Sequence, residues 1–281
     1  MDSEQVIQEF RLKFRPNYVP QSDEESMFRA AFRSKIPMII KGPTGCGKTR
    51  FVEHMAYKLK LPLITVSCHE DLTAADLVGR FLFKDDETVW QDGPLTLAVR
   101  YGGICYLDEI VEARKDTTVI IHSLTDDRRI LYIDKTGEVI RAHKRFMMVL
   151  SYNPGYQSIV KDLKQSTKQR FASLLFGHPS VDVEKKIILT ETRLSEEESG
   201  KLAEMGAKIR ELKGFGLEEG VSSRLLVYVG RLMKRGLSAM EACRCAICQT
   251  LTDEVEVMDS IESIAKLYFG DIASGEDGDG C

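Results

Sequence analysis

Between residues 36 and 179, short apolar runs alternate with longer segments whose apolar residues recur with helical period. The apolar runs are typical of strands that a sheet buries on both faces, namely "IPMIIK" (36–41), "PLITVSC" (62–68), "GGICYLDE" (102–109), "RFMMVLSYN" (145–153) and "FASLLFGHP" (171–179). Helical segments are predicted at 69–78, 95–101, 112–124, 161–171 and in "TRFVEHMAYKLK" (49–60). This alternation predicts an α/β fold, in which helices flank a parallel sheet.

Two segments inside this half carry paired apolar arms. Residues 79–95, "GRFLFKDDETVWQDGPL", have apolar residues on both sides of an acidic turn. Residues 128–146, "RRILYIDKTGEVIRAHKRF", alternate apolar and polar positions around Lys135-Thr136-Gly137, which is the stronger hairpin signal. We predict a β-hairpin in each segment.

After Pro179 the pattern becomes helical throughout. The helical segments are "VDVEKKIILTETRL", "SEEESGKLAEMGAKIRELK", "VSSRLLVYVGRLMKRG" and "SAMEACRCAICQTL", with breaks at Gly214, Gly216 and Gly236. We therefore predict an N-terminal extension (1–20), an α/β domain (21–180) and a smaller all-α domain (181–270). The polar end "SGEDGDGC" predicts a disordered tail at 271–281.

Composition narrows the class of protein. A chain of 281 residues with 43% hydrophobic and 29% charged residues is ordinary for a globular protein. Its net charge of -4 gives no global attraction to nucleic acid or to anionic membranes. Apolar runs such as "FMMVL" are too short to cross a bilayer, and the polar start "MDSEQVIQEF" does not resemble a signal peptide. We expect a cytoplasmic protein without membrane insertion and without a nucleic-acid partner.

Three cysteines form the spacing C-x-C-x-x-C, at Cys243, Cys245 and Cys248. A zinc site needs four ligands, usually in two spaced pairs, and no second pair lies nearby in the sequence. The surrounding window reads as an apolar helix. We favour a packed helix with reduced thiols over a metal site.

The segment "KGPTGCGKTR" follows the first predicted strand and precedes a predicted helix. It matches G-x-x-x-x-G-K-S/T, in which backbone N–H groups converge on phosphate oxygens at the positive end of the helix. The eight matching residues are Gly42, Pro43, Thr44, Gly45, Cys46, Gly47, Lys48 and Thr49. Lys48 is expected to reach the β and γ phosphates of ATP, and the Thr49 hydroxyl to bind Mg²⁺.

The third strand ends in Asp108 and Glu109. Ligands of open α/β sheets bind at the carboxyl ends of the strands, so Asp108 is a candidate for the magnesium shell. Glu109 is a candidate for orienting and deprotonating a water molecule. An acidic pair after a strand can also be merely a helix start, but the phosphate-binding loop upstream favours the nucleotide role.

Three further residues are weaker candidates on spacing alone. Asn153, at the end of the fourth strand, could contact the attacking water or the γ phosphate, or it could simply form a turn before Pro154. Arg170 in "KQSTKQRF" and Arg224 in "VSSRLL" could stabilise γ-phosphate charge, although isolated arginines are more often solvated surface residues.

The chain resembles the AAA+ ATPases, within them the MoxR group and, closely, the CbbQ/NorQ family. The resemblance covers nearly all of residues 20–270. It depends on the strings "KGPTGCGKTRFVEHMA", "DLTAADLVGR", "WQDGPLTLAVR", "ICYLDEIVEARKDTT", "SYNPGYQS" and "STKQRF". It implies a P-loop AAA+ core followed by an α-helical lid domain.

The resemblance also implies roles for single residues. Lys48 and Thr49 match Walker A, and Asp108 and Glu109 match Walker B. Asn153 matches sensor 1. Arg170 matches the arginine finger that acts on the neighbouring subunit, and Arg224 matches sensor 2 on the lid. Residues 79–95 match the insert in helix 2, and residues 128–146 match the hairpin before sensor 1.

For assembly, the resemblance implies a homohexamer that works with a partner carrying a von Willebrand factor A domain, of the CbbO/NorD kind. CbbQ-type members reactivate inhibited Rubisco, and NorQ-type members mature nitric oxide reductase. Rubisco is the favoured client because the best-known members of this sequence type serve it.

Two other classes share the phosphate-binding loop. A small-molecule kinase would need an acceptor-binding segment, which is not evident here, and the Asp108–Glu109 pair suits water activation better. A nucleotide-gated switch with negligible turnover would not need both Glu109 and Arg170.

Overall fold

The five predicted strands form one parallel sheet in the computed structural model, which describes residues 7–84, 86–154, 163–214, 216–217 and 219–270. The strand order is β2-β5-β8-β1-β9, and every neighbouring pair is parallel. The sheet consists of β1 (Met38–Lys41), β2 (Leu63–Ser67), β5 (Gly103–Asp108), β8 (Phe146–Tyr152) and β9 (Ala172–Leu175). The predicted fold class is confirmed.

Both predicted hairpins are present as separate two-stranded sheets. The first pairs β3 (Gly79–Lys84) with β4 (Glu87–Asp92), and the second pairs β6 (Ile130–Ile133) with β7 (Glu138–Arg141).

The helices of the sheet-containing half are mostly short. They are α1 (Glu24–Arg33), α2 (Lys48–Leu59), α3 (Ala74–Val78), α4 (Pro94–Tyr101), α5 (Lys115–Ile120) and α6 (Gln165–Lys168), with 3₁₀ turns at Ile110–Glu112 and His122–Leu124.

Three helix predictions were too long. The helix predicted at 69–78 begins only at Ala74, because Thr73 caps it and Asp76 completes a capping box. The helix predicted at 112–124 is divided, because the backbone is extended at Ala113 and Arg114. Of the helix predicted at 161–171, residues 161–162 lie outside the described residues, and only Gln165–Lys168 is helical in the remainder.

The sheet is apolar along its length because both of its faces are covered. Successive residues of β1 and β8 point to opposite faces. Accordingly, Ile39 and Leu150 pack in one buried cluster, while Ile40 and Val149 pack in the other with Phe51 of α2. All seven residues of β8 are buried, so this strand lies at the centre of the core. The carboxyl ends of the strands therefore meet at one well-supported edge.

The chain divides between Gly177 and His178 into two compact units, and the second unit is helical. Its helices are α7 (Val181–Thr192), α8 (Glu196–Arg210), α9 (Ser223–Lys234), α10 (Ala239–Cys243), a π turn (Arg244–Cys248), α11 (Gln249–Leu251) and α12 (Val255–Phe269). The predicted breaks are confirmed, because the three glycines at 214, 216 and 236 all adopt positive φ. Helix α12 was not predicted. The predicted tail and residues 1–6 of the predicted extension lie outside the described residues.

A buried ion pair joins three helices of this unit. The Arg210 guanidinium donates to both Glu184 carboxylate oxygens, at 2.6 and 2.7 Å, and the Ser223 hydroxyl donates to the same carboxylate at 2.5 Å. Glu184 is fully buried.

Among the helices that the structure describes, none has both the length and the apolarity needed to cross a membrane.

Candidate functional site

The loop between β1 and α2 has the backbone shape that its glycines allow. Gly47 caps α2 with φ of 100°, a left-handed conformation that disfavours any side chain. At Gly42, an added Cβ would come within 2.5 Å of the Phe176 carbonyl oxygen, so the close approach of the residue that follows β9 requires glycine there. The loop is thus held at the N-terminus of α2, where N–H groups and the helix dipole attract anions.

Lys48 is folded over this loop. Its ammonium group donates to the carbonyl oxygens of Gly42 and Pro43, at 2.8 and 3.0 Å, and the residue is only 6% exposed. A buried cation beside a helix N-terminus creates a positive site that favours phosphate.

Thr49 and Asp108 meet across the sheet edge. The Thr49 hydroxyl donates to Asp108 Oδ2 at 3.2 Å, although the two residues are 59 positions apart in the sequence. Hydroxyl and carboxylate oxygens are the donors that Mg²⁺ prefers, and Mg²⁺ commonly binds through one or two such groups together with substrate phosphates. The donor set therefore fits a magnesium ion.

Two further side chains, which the sequence did not single out, touch this pair. The Tyr106 phenol oxygen lies 2.8 Å from Asp108 Oδ1, 3.0 Å from Ser151 Oγ and 3.3 Å from Thr49 Oγ1. The Ser151 hydroxyl also donates to Asp108 Oδ1. The available signal was the strand period of two, which puts Tyr106 on the same face as Asp108. Ser151 comes from the adjacent strand β8, which only the strand order reveals.

Glu109 has an unusual backbone for a residue with a side chain. Its φ and ψ are 53° and 48°, in the left-handed region, and its N–H donates to Ser151 Oγ at 3.4 Å. Burial, the largest cause, and the Asp108 charge raise the pKa of Glu109, while Lys48 and a backbone hydrogen bond from Asn153 act in the opposite direction. The carboxylate is therefore a stronger proton acceptor than an exposed glutamate.

Asn153 follows β8 and is 4% exposed. Its side-chain amide donates to the Thr44 hydroxyl of the phosphate-binding loop at 3.4 Å. The structure thus brings together the predicted residues of the loop with Asp108, Glu109 and Asn153.

The two predicted arginines have other surroundings. Arg170 donates to the His122 carbonyl oxygen at 3.3 Å and lies 3.7 Å from Asp126 Oδ2, with its side chain 36% exposed. Arg224 is exposed in the first turn of α9, in the helical unit.

Arg100 joins the two hairpins, contacting the open end of the first and the turn end of the second. It donates to Asp92 of β4 at 3.0 Å and, through both terminal nitrogens, to Glu138 of β7 at 2.6 and 2.8 Å. In the first hairpin, Phe81 packs edge-on against Trp90, while Phe83 is 75% exposed. Some apolar side chains of this hairpin therefore pack against each other, while Phe83 faces the surface.

The cysteine cluster lies on α10 and the π turn. Cys243 and Cys248 are buried in the helical core, and Cys245 is exposed. Within the described part of the chain, no group of three or more His, Cys, Asp or Glu side chains could hold a metal ion.

Two known protein families match separate parts of the chain. Residues 37–171 match the family "AAA domain (dynein-related subfamily)", and residues 184–268 match "CbbQ/NirQ/NorQ C-terminal". The chain is 53% identical to protein CbbQ of Hydrogenophilus thermoluteolus over 261 residues, covering 93% of this chain and 98% of that protein.

Two other relatives are similarly close. Protein NorQ of Paracoccus denitrificans is 55% identical over 255 residues, covering 91% of this chain and 94% of that protein. Denitrification regulatory protein NirQ of Stutzerimonas stutzeri is 47% identical over 255 residues, covering 91% and 93%. A solved structure of a Thermotoga maritima RuvB variant matches with a TM-score of 0.54 at 15% identity, covering 92% of this chain and 75% of that one, which supports the fold alone.

Proposed function

The chain belongs to the CbbQ/NirQ/NorQ family of AAA+ P-loop ATPases, and from that premise we propose that it hydrolyses ATP in a ring to remodel a client enzyme. One observation carries the catalytic part of the proposal. A P-loop lysine, a Thr49–Asp108 oxygen pair and a half-buried glutamate with raised pKa converge at a single edge of the sheet.

Phosphate binding follows from the contacts of Lys48. Its ammonium group is held by two neutral carbonyl oxygens, and phosphate oxygens are stronger, charged acceptors for the same protons. Thr49 and Asp108 would hold the magnesium ion. When bound, that ion neutralises charge on the β and γ phosphates.

Water activation is assigned to Glu109. Its raised pKa strengthens it as a base, and the backbone hydrogen bond from Asn153 helps to orient the carboxylate. The Asn153 amide, held against Thr44 of the loop, is suited to contact the attacking water or the γ phosphate.

We assign Arg170 to the nucleotide of a neighbouring subunit in a homohexamer. Its contacts with His122 and Asp126 are both made by one terminal guanidinium nitrogen, and about a third of the side chain stays exposed, which leaves the other terminal nitrogen for a group across an interface. An arginine that stabilises developing γ-phosphate charge contributes a factor of ~10³–10⁵ in rate. Arg224 is assigned the role of sensor 2 on the lid domain.

The partner is proposed to carry a von Willebrand factor A domain, and the complex to work in the cytoplasm. Inhibited Rubisco is the first candidate client, in line with the CbbQ relative at 53% identity. Nitric oxide reductase is the second, favoured by the NorQ relative at 55% identity. Assaying both client enzymes with the purified complex distinguishes them.

The test of hydrolysis is Glu109→Gln, which keeps the shape of the side chain and removes the base. We expect unchanged affinity for ATP with Mg²⁺ and a fall in turnover by a factor of ~10²–10⁴. Glu53→Gln, which removes a carboxylate that pairs with Arg50 on α2, is the matched control. Wild-type turnover by Glu109→Gln would exclude it as the base. Phosphate release without any added acceptor also separates an ATPase from a small-molecule kinase.

The assignment of Arg170 is tested by mixing two inactive variants. Arg170→Ala subunits retain an intact loop, and Lys48→Ala subunits retain an intact finger, so some interfaces of mixed rings regain both groups. We expect partial recovery of hydrolysis. Mixed rings that remain inactive would contradict action between subunits.

A further inference from the structure

Tyr106 is fully buried, yet its hydroxyl meets only polar groups of the site. The ring packs in the apolar cluster that contains Ile40, Phe51 and Val149. The phenol oxygen lies within 3.3 Å of Thr49, Asp108 and Ser151 side chains. Phenylalanine would fill nearly the same volume, so packing alone does not account for the hydroxyl.

The two carboxylate oxygens of Asp108 have different hydrogen-bond partners. Oδ1 is approached by the Tyr106 and Ser151 hydroxyls, and Oδ2 by the Thr49 hydroxyl. Contacts on Oδ1 restrict rotation of the carboxylate about its own axis, so that Oδ2 stays turned towards Thr49. Carboxylates that ligate metals are commonly oriented by such hydrogen bonds.

The Thr49 hydroxyl has a single proton. Asp108 Oδ2 accepts it at 3.2 Å, and the Tyr106 oxygen, at 3.3 Å, is a second possible acceptor. In either arrangement the proton points into the protein, and the lone pairs of Thr49 Oγ1 remain available on the loop side. One phenol therefore contacts both side chains that were assigned to the magnesium ion.

We propose that Tyr106 is a positioning residue for the magnesium site, acting through Thr49 and Asp108, with Ser151 as its helper on the neighbouring strand. The proposal rests on the proposed nucleotide-binding function. Tyr106 touches neither nucleotide nor metal in this role; it fixes the geometry of the two ligands.

The experiment compares Tyr106→Phe with wild type in the full-length chain, using a non-hydrolysable ATP analogue. Affinity is measured in EDTA and at increasing Mg²⁺, and direct binding of Mn²⁺ in the presence of the analogue is followed by electron paramagnetic resonance. We expect unchanged affinity in EDTA, because the loop and Lys48 are intact. The half-saturating Mg²⁺ concentration should rise about 10-fold or more, as for other residues that orient metal ligands.

Tyr152→Phe is the matched control. Tyr152 is also a buried strand tyrosine, but it packs in the cluster on the opposite face of the sheet. We expect its Mg²⁺ dependence to match wild type. Ser151→Ala is the second test variant, because it removes the other donor to Asp108 Oδ1 and leaves the aromatic core unchanged. If Tyr106→Phe does not fold, the Mg²⁺ dependence of Ser151→Ala tests the proposal instead.

The outcomes separate the inference from the proposed function. A Mg²⁺-specific loss in Tyr106→Phe and Ser151→Ala supports the positioning role. Equal Mg²⁺ dependence in wild type and both variants overturns it. An equal loss in EDTA and in Mg²⁺ also overturns it, because Tyr106 would then shape the loop and not the metal site. Wild-type protein that binds no nucleotide would overturn the proposed function itself.

Discussion

Removal of the Glu184 carboxylate should destabilise the helical unit far more than removal of a surface carboxylate. Glu184 is fully buried and receives three hydrogen bonds, two from Arg210 and one from Ser223. In Glu184→Gln, an amide NH₂ replaces one acceptor and faces a guanidinium N–H, so two donors oppose each other. The Arg210 charge then stays buried without compensation.

The magnitude follows from the exposure of the two partners. Removal of one member of a buried pair costs about 3–5 kcal/mol, and the 13% exposure of the Arg210 side chain puts the expected value near the lower end, at about 3 kcal/mol. The Arg210 Nε–H···O=C bond to Val221, at 2.8 Å, is retained. With an m-value of about 2 kcal/mol/M in urea, the midpoint should fall by about 1.5 M.

The assay is urea denaturation followed by far-UV circular dichroism, which reports helix content. Trp90, the single tryptophan, belongs to the other unit and provides a separate fluorescence signal for it. Glu197→Gln is the control, because Glu197 pairs with Lys201 on the surface of α8 with 79% of its side chain exposed. Such pairs contribute about 0.3–0.5 kcal/mol. Equal midpoints for Glu184→Gln and Glu197→Gln would refute the reasoning from burial.

Three other outcomes are expected. Lys48→Ala should weaken ATP binding, because the cation held over Gly42 is lost, and unchanged affinity in a calorimetric titration would count against the loop assignment. Phe83→Ser should leave basal ATP hydrolysis unchanged, because Phe83 is 75% exposed and contributes little to the core. It should reduce client activation if the first hairpin contacts the client or the partner, and full client activation would exclude the hairpin from that contact. Burial, with help from neighbouring cations, lowers the pKa of His178 from 6.5 to about 4, so the unfolded chain binds more protons in that range and stability falls as the pH drops through it. When the pH is lowered from 7 to 5, the free energy of unfolding of His178→Gln should therefore fall by about 1 kcal/mol less than that of wild type. This difference is half of what the full pKa shift implies, because the ring is partly exposed. Urea denaturation at the two pH values measures it, and an identical fall in both proteins would contradict the reasoning.

Several features follow from the sequence because their causes are local. The five apolar runs predicted the strands of the parallel sheet, and turn chemistry around Gly137 predicted the second hairpin. The glycine and lysine pattern of residues 42–49 predicted the loop at the start of a helix. A local rule also explains where α3 begins, since Thr73 and Asp76 stand in the sequence at the spacing of a capping box.

Other features required the tertiary structure, because they depend on which elements become neighbours. The order β2-β5-β8-β1-β9 puts Ser151 of β8 beside Asp108 of β5, 43 positions away in the sequence. Helix packing likewise brings Arg210 to Glu184 across 26 positions.

The sequence thus determined which residue types stand at the carboxyl ends of the strands, since strand period and loop chemistry act over a few residues. Only the tertiary structure decided that Tyr106 joins the Thr49–Asp108 pair and that Glu109 adopts a left-handed backbone. The physical reason is that side-chain hydrogen bonds between distant elements depend on strand order and register, for which a single strand carries no signal.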